Sequence, residues 1–459
     1  MERTALFIRT EYRGDNMSLQ DFLVGTPGYY KSSKYPVEYG GVRRQKHARS
    51  PGLNIQAHER LAITSRQFPP GRWVIATLDI DDRLYVYGCS VPGQPDASFG
   101  WVEEVDPVTL QTIKISPRLA TGGHNWCGGA SVLEDGTIIT GFGRCIHKLN
   151  FDLQLIGELE LPIDQGHNGV LRLSDGMMIT RSMEHDPSRN SVFTIFDPDT
   201  LEILQTLEFV GSSVGRFCID PAADRDTVYA TTTTHIHRLV YTDKQLSLDP
   251  NWSASYDLPG EDQGFAWCNT VGSDSVWFMD MGDLPPIESI MRAYPVGSKP
   301  ISYSSLNEAP VRVYRVSTND SSSMDVFTPF GVARGGQGAS PLYIQDKSII
   351  MAFDTLNRKT GAWRFDGRGS FTELWIRDIG NSNQPLYFPD TGEVILDDVL
   401  EDYTVDSVVL DIETGIEKGR VATGTLFNAG MMACPGFGRD FYAASGAHGA
   451  LYRVFVDEI

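Results

Sequence analysis

Residues 166–180 read GHNGVLRLSDGMMIT, and residues 123–140 contain a related stretch, GHNWCGGASVLEDGTIIT. Each stretch has a His-Asn pair, small apolar residues, an Asp-Gly pair and then a β-rich run. Asp-Gly between two runs of this kind indicates a tight hairpin. Because the pattern occurs twice, it indicates an internal repeat.

A polar turn followed by a short β-rich run recurs along the chain. The turns are marked by Asp82, Asp135, Asp175, Asp226, Asp274, Asp346, Thr391 and Arg439. They recur every 40 to 55 residues or so, apart from one longer interval before Asp346. A further strand and a D-x-x-T hairpin follow several of these turns, as in VEEVDPVTLQTIKI (102–115) and VVLDIETGIEKGRV (408–421). Each unit therefore contains four short strands.

A four-stranded unit of this length is typical of a β-propeller blade. We predict an all-β chain that forms an eight-bladed propeller, with seven blades as the alternative, and four antiparallel strands per blade. The last unit offers only three strands, so the ring is predicted to close by pairing N- and C-terminal strands, with TALFIRT (4–10) as the missing outer strand. Residues 1–66 would form this closing strand and a basic, aromatic arm, and residues 67–459 the propeller, with a loop insertion at about 283–328.

The repeat resembles the blades of quinoprotein-like and YVTN-like β-propellers over nearly the whole chain after residue 66. This resemblance implies the fold and no particular activity. Quinoproteins carry the pattern A-x-D-x-x-T-G-x-x-x-W on their outer strands, and here Asp411, Thr414 and Gly415 match part of it once, without the tryptophan. We therefore expect no quinone cofactor, and the absence of GxGxxG-helix and GxxxxGK[ST] motifs predicts no nucleotide cofactor.

The chain is acidic, with a formal net charge of −20. This charge argues against nucleic acid and anionic membranes as partners. The stretch at 29–51 mixes basic and aromatic residues and is predicted to lie across the acidic body, with RNA contact as the alternative. No apolar run approaches the roughly 18 residues of a membrane helix, and the N-terminal residues do not form a secretory signal, so we expect a cytoplasmic protein. The six scattered cysteines predict buried, reduced thiols.

The residues that lead into the first strand of each blade open on one face of such a ring, where propellers usually bind ligands. The repeat places His124 and His167 there, near one mouth of the channel and in adjacent blades. Histidine is the natural acid or base near neutral pH and the commonest metal ligand, so we predict both as catalytic residues and as ligands if a divalent metal is bound. His167 is predicted to be the acid–base group or ligand, and His124 its partner. The arrangement alone is similar to that of propeller lyases with axial metals. The alternative is that both histidines bond only to the backbone of a neighbouring blade.

Other residues at the same mouth are candidates for substrate contacts. Arg216 is predicted to be the third catalytic residue, a clamp that binds a substrate carboxylate, and Asp164 to orient an imidazole or bind a cation. The predicted substrate-binding residues are Trp126, Phe265, Trp267, Gln263, Gln337, Asn383 and Asn428.

These features predict a cytoplasmic enzyme that acts on a small oxygenated molecule, such as a sugar acid, lactone or natural product. Lyase, isomerase or hydrolase chemistry fits histidine acid–base or metal catalysis at the channel mouth. The alternative is a non-catalytic propeller that serves as a protein- or ligand-binding scaffold. The sequence does not indicate an oligomeric state.

Overall fold

The computed structural model describes residues 30, 34–48, 50–69, 72–90, 98–184, 186, 188–222, 224–258, 266–280, 309–336, 340–426, 432–445 and 449–458. The strands in these ranges form eight antiparallel sheets of four strands each. We number the sheets as blades 1 to 8 in chain order.

Blades 1 to 4 each contain four strands that are consecutive in the chain. The strands of blade 1 are β2 (Arg72–Ile80), β3 (Arg83–Ser90), β4 (Gly100–Val105) and β5 (Thr112–Ile115). Those of blade 2 are β6 (Cys127–Val132), β7 (Ile138–Phe142), β8 (Cys145–Leu149) and β9 (Leu155–Glu160). Those of blade 3 are β10 (His167–Arg172), β11 (Met178–Ser182), β12 (Ser191–Phe196) and β13 (Ile203–Phe209). Those of blade 4 are β14 (Cys218–Pro221), β15 (Asp226–Thr231), β16 (His235–Thr242) and β17 (Gln245–Ser255).

Blades 5 to 7 follow the same order, and blade 8 is built from both ends of the described chain. The strands of blade 5 are β18 (Thr270–Val271), β19 (Ser275–Met279), β20 (Val313–Ser317) and β21 (Met324–Phe327). Those of blade 6 are β22 (Leu342–Ile344), β23 (Ile349–Asp354), β24 (Lys359–Phe365) and β25 (Phe371–Arg377). Those of blade 7 are β26 (Leu386–Phe388), β27 (Glu393–Val399), β28 (Thr404–Asp411) and β29 (Glu417–Leu426). Those of blade 8 are β30 (Cys434–Pro435), β31 (Asp440–Ser445), β32 (Ala450–Glu458) and β1 (Glu59–Gln67).

The predicted eight-bladed, all-β fold is confirmed. All eight turn markers fall in, or at the edge of, the connection between the first and second strands of a blade. The D-x-x-T hairpins also form as their chemistry suggests: the Thr109 hydroxyl donates to Asp106 at 2.9 Å, and the Thr414 hydroxyl donates to Asp411 at 2.8 Å. Within the described ranges the helical elements are two short 3-10 turns, Glu38–Gly40 and Gln345–Lys347, and no helix is long and apolar enough to cross a membrane.

The ring closes in blade 8, as predicted, by pairing of an N-terminal strand with the C-terminal strand. The strand that does so is β1, which pairs antiparallel with β32 from Glu59↔Glu458 to Gln67↔Ala450. It lies in the segment that was predicted to be part of the arm, while TALFIRT (4–10) lies outside the described residues. The run ERLAITSRQ has the alternating pattern of an outer strand, and this signal was overlooked in favour of the more apolar run.

The loop insertion predicted at about 283–328 extends too far toward the C-terminus. Residues 313–317 and 324–327 are the third and fourth strands of blade 5, so this part belongs to the repeat. The connection from β19 to β20 includes residues 281–308, which lie outside the described residues.

Aromatic side chains fill the space between neighbouring blades. Trp277 of blade 5 stacks on Tyr343 of blade 6 with ring centroids 4.7 Å apart, and Tyr256, which follows blade 4, packs edge-on against Phe278 of blade 5 at 5.1 Å. Burying rings of this size contributes several kcal/mol to stability in a typical domain, of the order of 2 kcal/mol or more per ring. These contacts hold the sheets in a ring and leave the first strands facing the central channel.

Residues 34–48, which we call the strap, lie inside this channel. The strap bonds to residues in or next to the first strands of seven blades: Tyr35 with Asp79, Pro36 with Val132, Val42 with Ile219, Arg43 with Val271, Lys46 with Pro341 and Tyr387, and Lys34 with Gly436. Blade 3 contacts it at Gly169, where a built Cβ would lie 3.2 Å from Nη2 of Arg44. A single segment can reach all eight first strands only from the axis of the ring. The basic, aromatic arm was predicted to lie across the body, and its central part instead fills the channel.

Candidate functional site

His124 and His167 lie at the junction of blades 2 and 3, on the face where the first strands begin. We call this the upper face. Cys127 begins β6 and His167 begins β10, which confirms the register predicted from the repeat. The two histidines are linked through one turn, because the His167 amide donates to the Gly143 carbonyl at 2.8 Å and the Gly143 amide donates to the Trp126 carbonyl at 2.7 Å.

The imidazole of His124 is accessible and is paired with a carboxylate. Its side chain is 33% exposed, and its Nε2 lies 2.9 Å from Oδ1 of Asp164. The same oxygen lies 3.2 Å from Nη1 of Arg144, whose other terminal nitrogen, Nη2, donates to Glu160. The hydrogen bond from His124, followed by the charge of Arg144, lowers the pKa of Asp164, so this carboxylate is ionised at neutral pH.

His167 is buried, whereas His124 is accessible. Its Nδ1 lies 3.0 Å from the Gln165 carbonyl, which can only accept, so Nδ1 carries the proton and Nε2 is a lone-pair acceptor. Within the described part of the chain, Nε2 has no hydrogen-bond partner. Burial lowers the pKa of His167 to about 4, so the ring is neutral at pH 7.

Arg216 is bound to a carboxylate that belongs to the chain itself. Its Nε and Nη2 lie 2.9 and 3.2 Å from the two carboxylate oxygens of Glu38, in the strap, and both side chains are almost fully buried. Glu38 therefore occupies the Nε–Nη2 edge of the guanidinium. The predicted contact of Arg216 with a substrate carboxylate stays a prediction. Sequence reasoning missed Glu38, although it is the lone acidic residue in the basic stretch 29–51.

Trp126 and Trp267 meet at the upper end of the channel. They precede the first strands of blades 2 and 5, which are not neighbours in the ring, yet their ring centroids are 6.2 Å apart in an edge-to-face arrangement. Both side chains are buried. The two rings therefore pack together as an apolar pair, and their predicted contact with a substrate stays a prediction.

Asn383 lies in a buried polar network at blade 7. Its amide donates to Asp397, and the Asp397 amide donates to Asn381 at 3.1 Å. Burial raises the pKa of Asp397 to about 7. No sequence motif indicated this network. The other predicted substrate-binding residues, Phe265, Gln263, Gln337 and Asn428, lie outside the described residues.

A metal ion remains a prediction at the two histidines. His124 could offer Nδ1 and His167 Nε2, and both atoms are chemically suited to a divalent ion. In the ranges that the structure describes, no group of three or more His, Cys, Asp or Glu side chains is arranged to hold one.

Comparisons with known proteins agree with this architecture. No family model and no curated protein matches the chain. The quinohemoprotein alcohol dehydrogenase from Comamonas testosteroni is similar in structure, with a TM-score of 0.62 at 9% identity over 92% of this chain and 80% of that one. Sqt1 from Saccharomyces cerevisiae gives a TM-score of 0.59 at 8% identity over 88% and 100%. The chain is a β-propeller.

The similar propellers differ in what they do. Sqt1 from Chaetomium thermophilum, solved bound to the N-terminus of ribosomal protein L10, gives a TM-score of 0.55 at 9% identity over 85% of this chain and 98% of that one. An alcohol dehydrogenase and a protein bound to a ribosomal segment share this fold, so the fold assigns no activity. The side chains at the upper face, and not the fold, are the basis for proposing an activity.

Proposed function

We propose that the chain is an enzyme that moves a proton on a small oxygenated molecule, such as a sugar acid, a lactone or a related natural product, at the junction of blades 2 and 3. Lyase, isomerase and hydrolase reactions all use such a step. The observation that carries the proposal is the His124–Asp164 pair, an accessible imidazole held by a carboxylate on the upper face.

The pair has the geometry of a general base with its orienting group. An ionised Asp164 accepts the Nε2 proton of His124 and leaves Nδ1 unprotonated, free to take a proton from a substrate. The carboxylate also stabilises the imidazolium that results, since opposite charges lie 2.9 Å apart. His124 therefore takes the acid–base role, which the sequence analysis had given to His167 with His124 as its partner.

One neighbouring group supports an oxygenated substrate. Arg144 lies beside Asp164 and is a quarter exposed, and its guanidinium offsets part of the negative charge of Asp164 and Glu160 next to the imidazole. His167 stays neutral because burial lowers its pKa to about 4, and its Nε2 is buried behind the surface of the site. Arg144 would orient the substrate, while His124 transfers the proton.

Variants at the upper face test the proposal. The purified protein is incubated with a panel of sugar acids and lactones, and consumption is followed by chromatography with mass detection. For any compound consumed, His124→Ala should lower kcat by roughly a hundredfold or more, and Asp164→Asn by a smaller factor with a changed pH profile. The control His58→Ala alters another exposed histidine and should leave the rate unchanged. Equal rates in His124→Ala and wild type would overturn the assignment.

A binding scaffold is the second candidate, and one observation favours it. Aliphatic side chains are exposed on the outermost strands of three neighbouring blades: Ile113 and Ile115 on β5, Leu155 and Ile156 on β9, and Ile203 and Leu204 on β13. Apolar groups gathered on one side of the rim are typical of a protein-binding surface. Ile113→Glu with Ile156→Glu should then reduce capture of a copurifying protein, while leaving consumption of small acids unchanged.

A further inference from the structure

Three arginines meet in the channel around one carboxylate. Arg44 of the strap, Arg181 of β11 and Arg216 are almost completely buried. Arg44 and Arg216 lie on the ring of Tyr39, with their guanidinium carbons 4.8 and 5.9 Å from its centroid. Arg181 is tied to the same place, since its Nη2 donates to the carbonyl of Gly215, the residue before Arg216.

The single carboxylate is already occupied. Glu38 accepts two hydrogen bonds from Arg216 and one from the Tyr87 hydroxyl, and it lies 3.6 Å from Nη1 of Arg44. Three guanidinium groups therefore face one negative charge among the described residues. A buried charge without a counter-charge is strongly unfavourable, so this excess needs a partner.

The positive charge of Arg181 is the least compensated of the three. Its Nε and Nη1 are buried and have no hydrogen-bond partner within the described ranges, and neither do Nη1 and Nη2 of Arg44. Burial, together with the nearby Arg44 and Arg216, lowers the pKa of Arg181 to about 9, and the group remains charged at pH 7. A protonated guanidinium with unused donors is a site for an anion.

Both arginines border one bulge of the strand β10. Asn168 is the cross-strand partner of Arg181, and β10 is bulged between Asn168 and Leu171. Gly169 lies within the bulge, and a Cβ on it would lie 3.2 Å from Nη2 of Arg44. The bulge is therefore where Arg181 and Arg44 approach each other.

We propose that a small inorganic anion, chloride or a compact oxyanion, is bound inside the channel between Arg181 and Arg44. It would neutralise the excess charge and join the strap to blade 3. The site is separate from His124 and Asp164, and it does not depend on the proposed catalysis.

The test compares thermal stability in different anions. The protein is dialysed into a MES buffer, whose organic sulfonate is bulkier than the test anions, and chloride, bromide, sulfate or phosphate is added at constant ionic strength. We expect at least one of these anions to raise Tm in a saturable manner by roughly 3 °C or more. The ranking of the four distinguishes a halide site from an oxyanion site. A bromide-soaked crystal should show an anomalous peak next to Arg181.

Three variants make the result specific. Arg181→Met should abolish the saturable rise, whereas the control Arg312→Met, a buried arginine paired with Asp280 at 3.3 Å, should lower Tm without altering the response to anions. Asn168→Asp supplies a carboxylate beside Arg181. It should raise Tm in the MES buffer and remove the response, so it serves if Arg181→Met does not fold.

Two results would overturn the proposal. One is a wild-type Tm that follows ionic strength alone, as expected if another carboxylate of the chain neutralises Arg181. The other is a full anion response in Asn168→Asp.

Discussion

Glycine residues after each His-Asn pair make space for the strap. Gly129 and Gly169 have positive φ angles of 146° and 79°, and each lies at a bulge of its strand. A Cβ on Gly129 would lie 3.4 Å from Glu38, and a Cβ on Gly169 would lie 3.2 Å from Arg44. The motif is therefore repeated because two adjacent blades accept the buried charges of the strap.

Gly169→Ala tests this role of the motif. The left-handed conformation and the close approach of Phe217, 2.8 Å from a built Cβ, should together lower the free energy of unfolding by about 2 to 4 kcal/mol. Gly123→Ala is the matched control, since Gly123 also has a positive φ and a Cβ there would have nothing within 4 Å. Urea denaturation of both variants measures the difference, and equal losses would contradict the steric argument.

His167 makes the stability depend on pH. Burial lowers its pKa to about 4, below the ordinary value near 6.5, so the unfolded chain binds more protons between these two values. The stability contributed by the neutral ring is present above about pH 6.5 and is lost as the pH falls toward 4, by about 3 kcal/mol at most.

The free energy of unfolding is measured from pH 4 to 7, and its slope against pH gives the number of protons taken up on unfolding. His167→Asn should lower this number by about one. Other histidines with lowered pKa values, His47, His147 and His237, should retain the rest of the slope. The exposed His58→Asn serves as the control. A variant slope equal to that of the wild type would show that His167 is not buried in solution.

The candidate site was predicted only in part from the sequence. The repeat register was enough to place His124 and His167 together, and Asp164 was noted as a group that could orient an imidazole. Arg144 lies in an ordinary hairpin, and Glu38 reaches Arg216 from 178 residues away in the chain. Contacts of this kind depend on how the ring closes, and a local pattern carries no signal for them.

The strap is the element that sets this molecule apart from an open ring. It replaces water in the channel with backbone hydrogen bonds and brings Glu38 and its basic partners into the interior. Its basic, aromatic composition suggested an element on the surface. The physical reason for the difference is that inward-facing carbonyls accept hydrogen bonds from Arg44 and Lys46, and Glu38 pairs with Arg216, so part of the charge has partners inside the channel.

Glu38→Gln tests the contribution of the strap. Removing the carboxylate leaves Arg216 and Arg44 without their counter-charge, so the free energy of unfolding should fall by about 3 to 5 kcal/mol. Glu134→Gln, at an exposed turn, is the control and should change it by less than about 0.5 kcal/mol. Denaturation curves at pH 7 provide the measurement, and a loss as small as that of the control would show that the strap is held by other contacts.

At the scale of the whole molecule, the fold followed from the sequence because it repeats. Eight turns at regular spacing determine the blades, and the shortage of one strand in the last unit predicts how the ring closes. The closing strand itself was misassigned, because β1 is an outer strand of modest hydropathy and its role depends on a partner at the opposite end of the chain.

The ring should also protect its thiols. All six cysteines are unpaired and buried, and burial raises the pKa of Cys127, Cys145, Cys218 and Cys434. Ellman's reagent should therefore react slowly with the native protein and with six thiols in guanidinium chloride. Rapid reaction of one or more native thiols would indicate that a blade opens.

The activity at the upper face is the central claim, and consumption of sugar acids and lactones by wild type, His124→Ala and Asp164→Asn measures it most directly. The account predicts that wild type consumes at least one of these compounds and that His124→Ala is slower by about a hundredfold or more, with an unchanged Tm. No consumption by wild type, or the same rate in all three proteins, would contradict it.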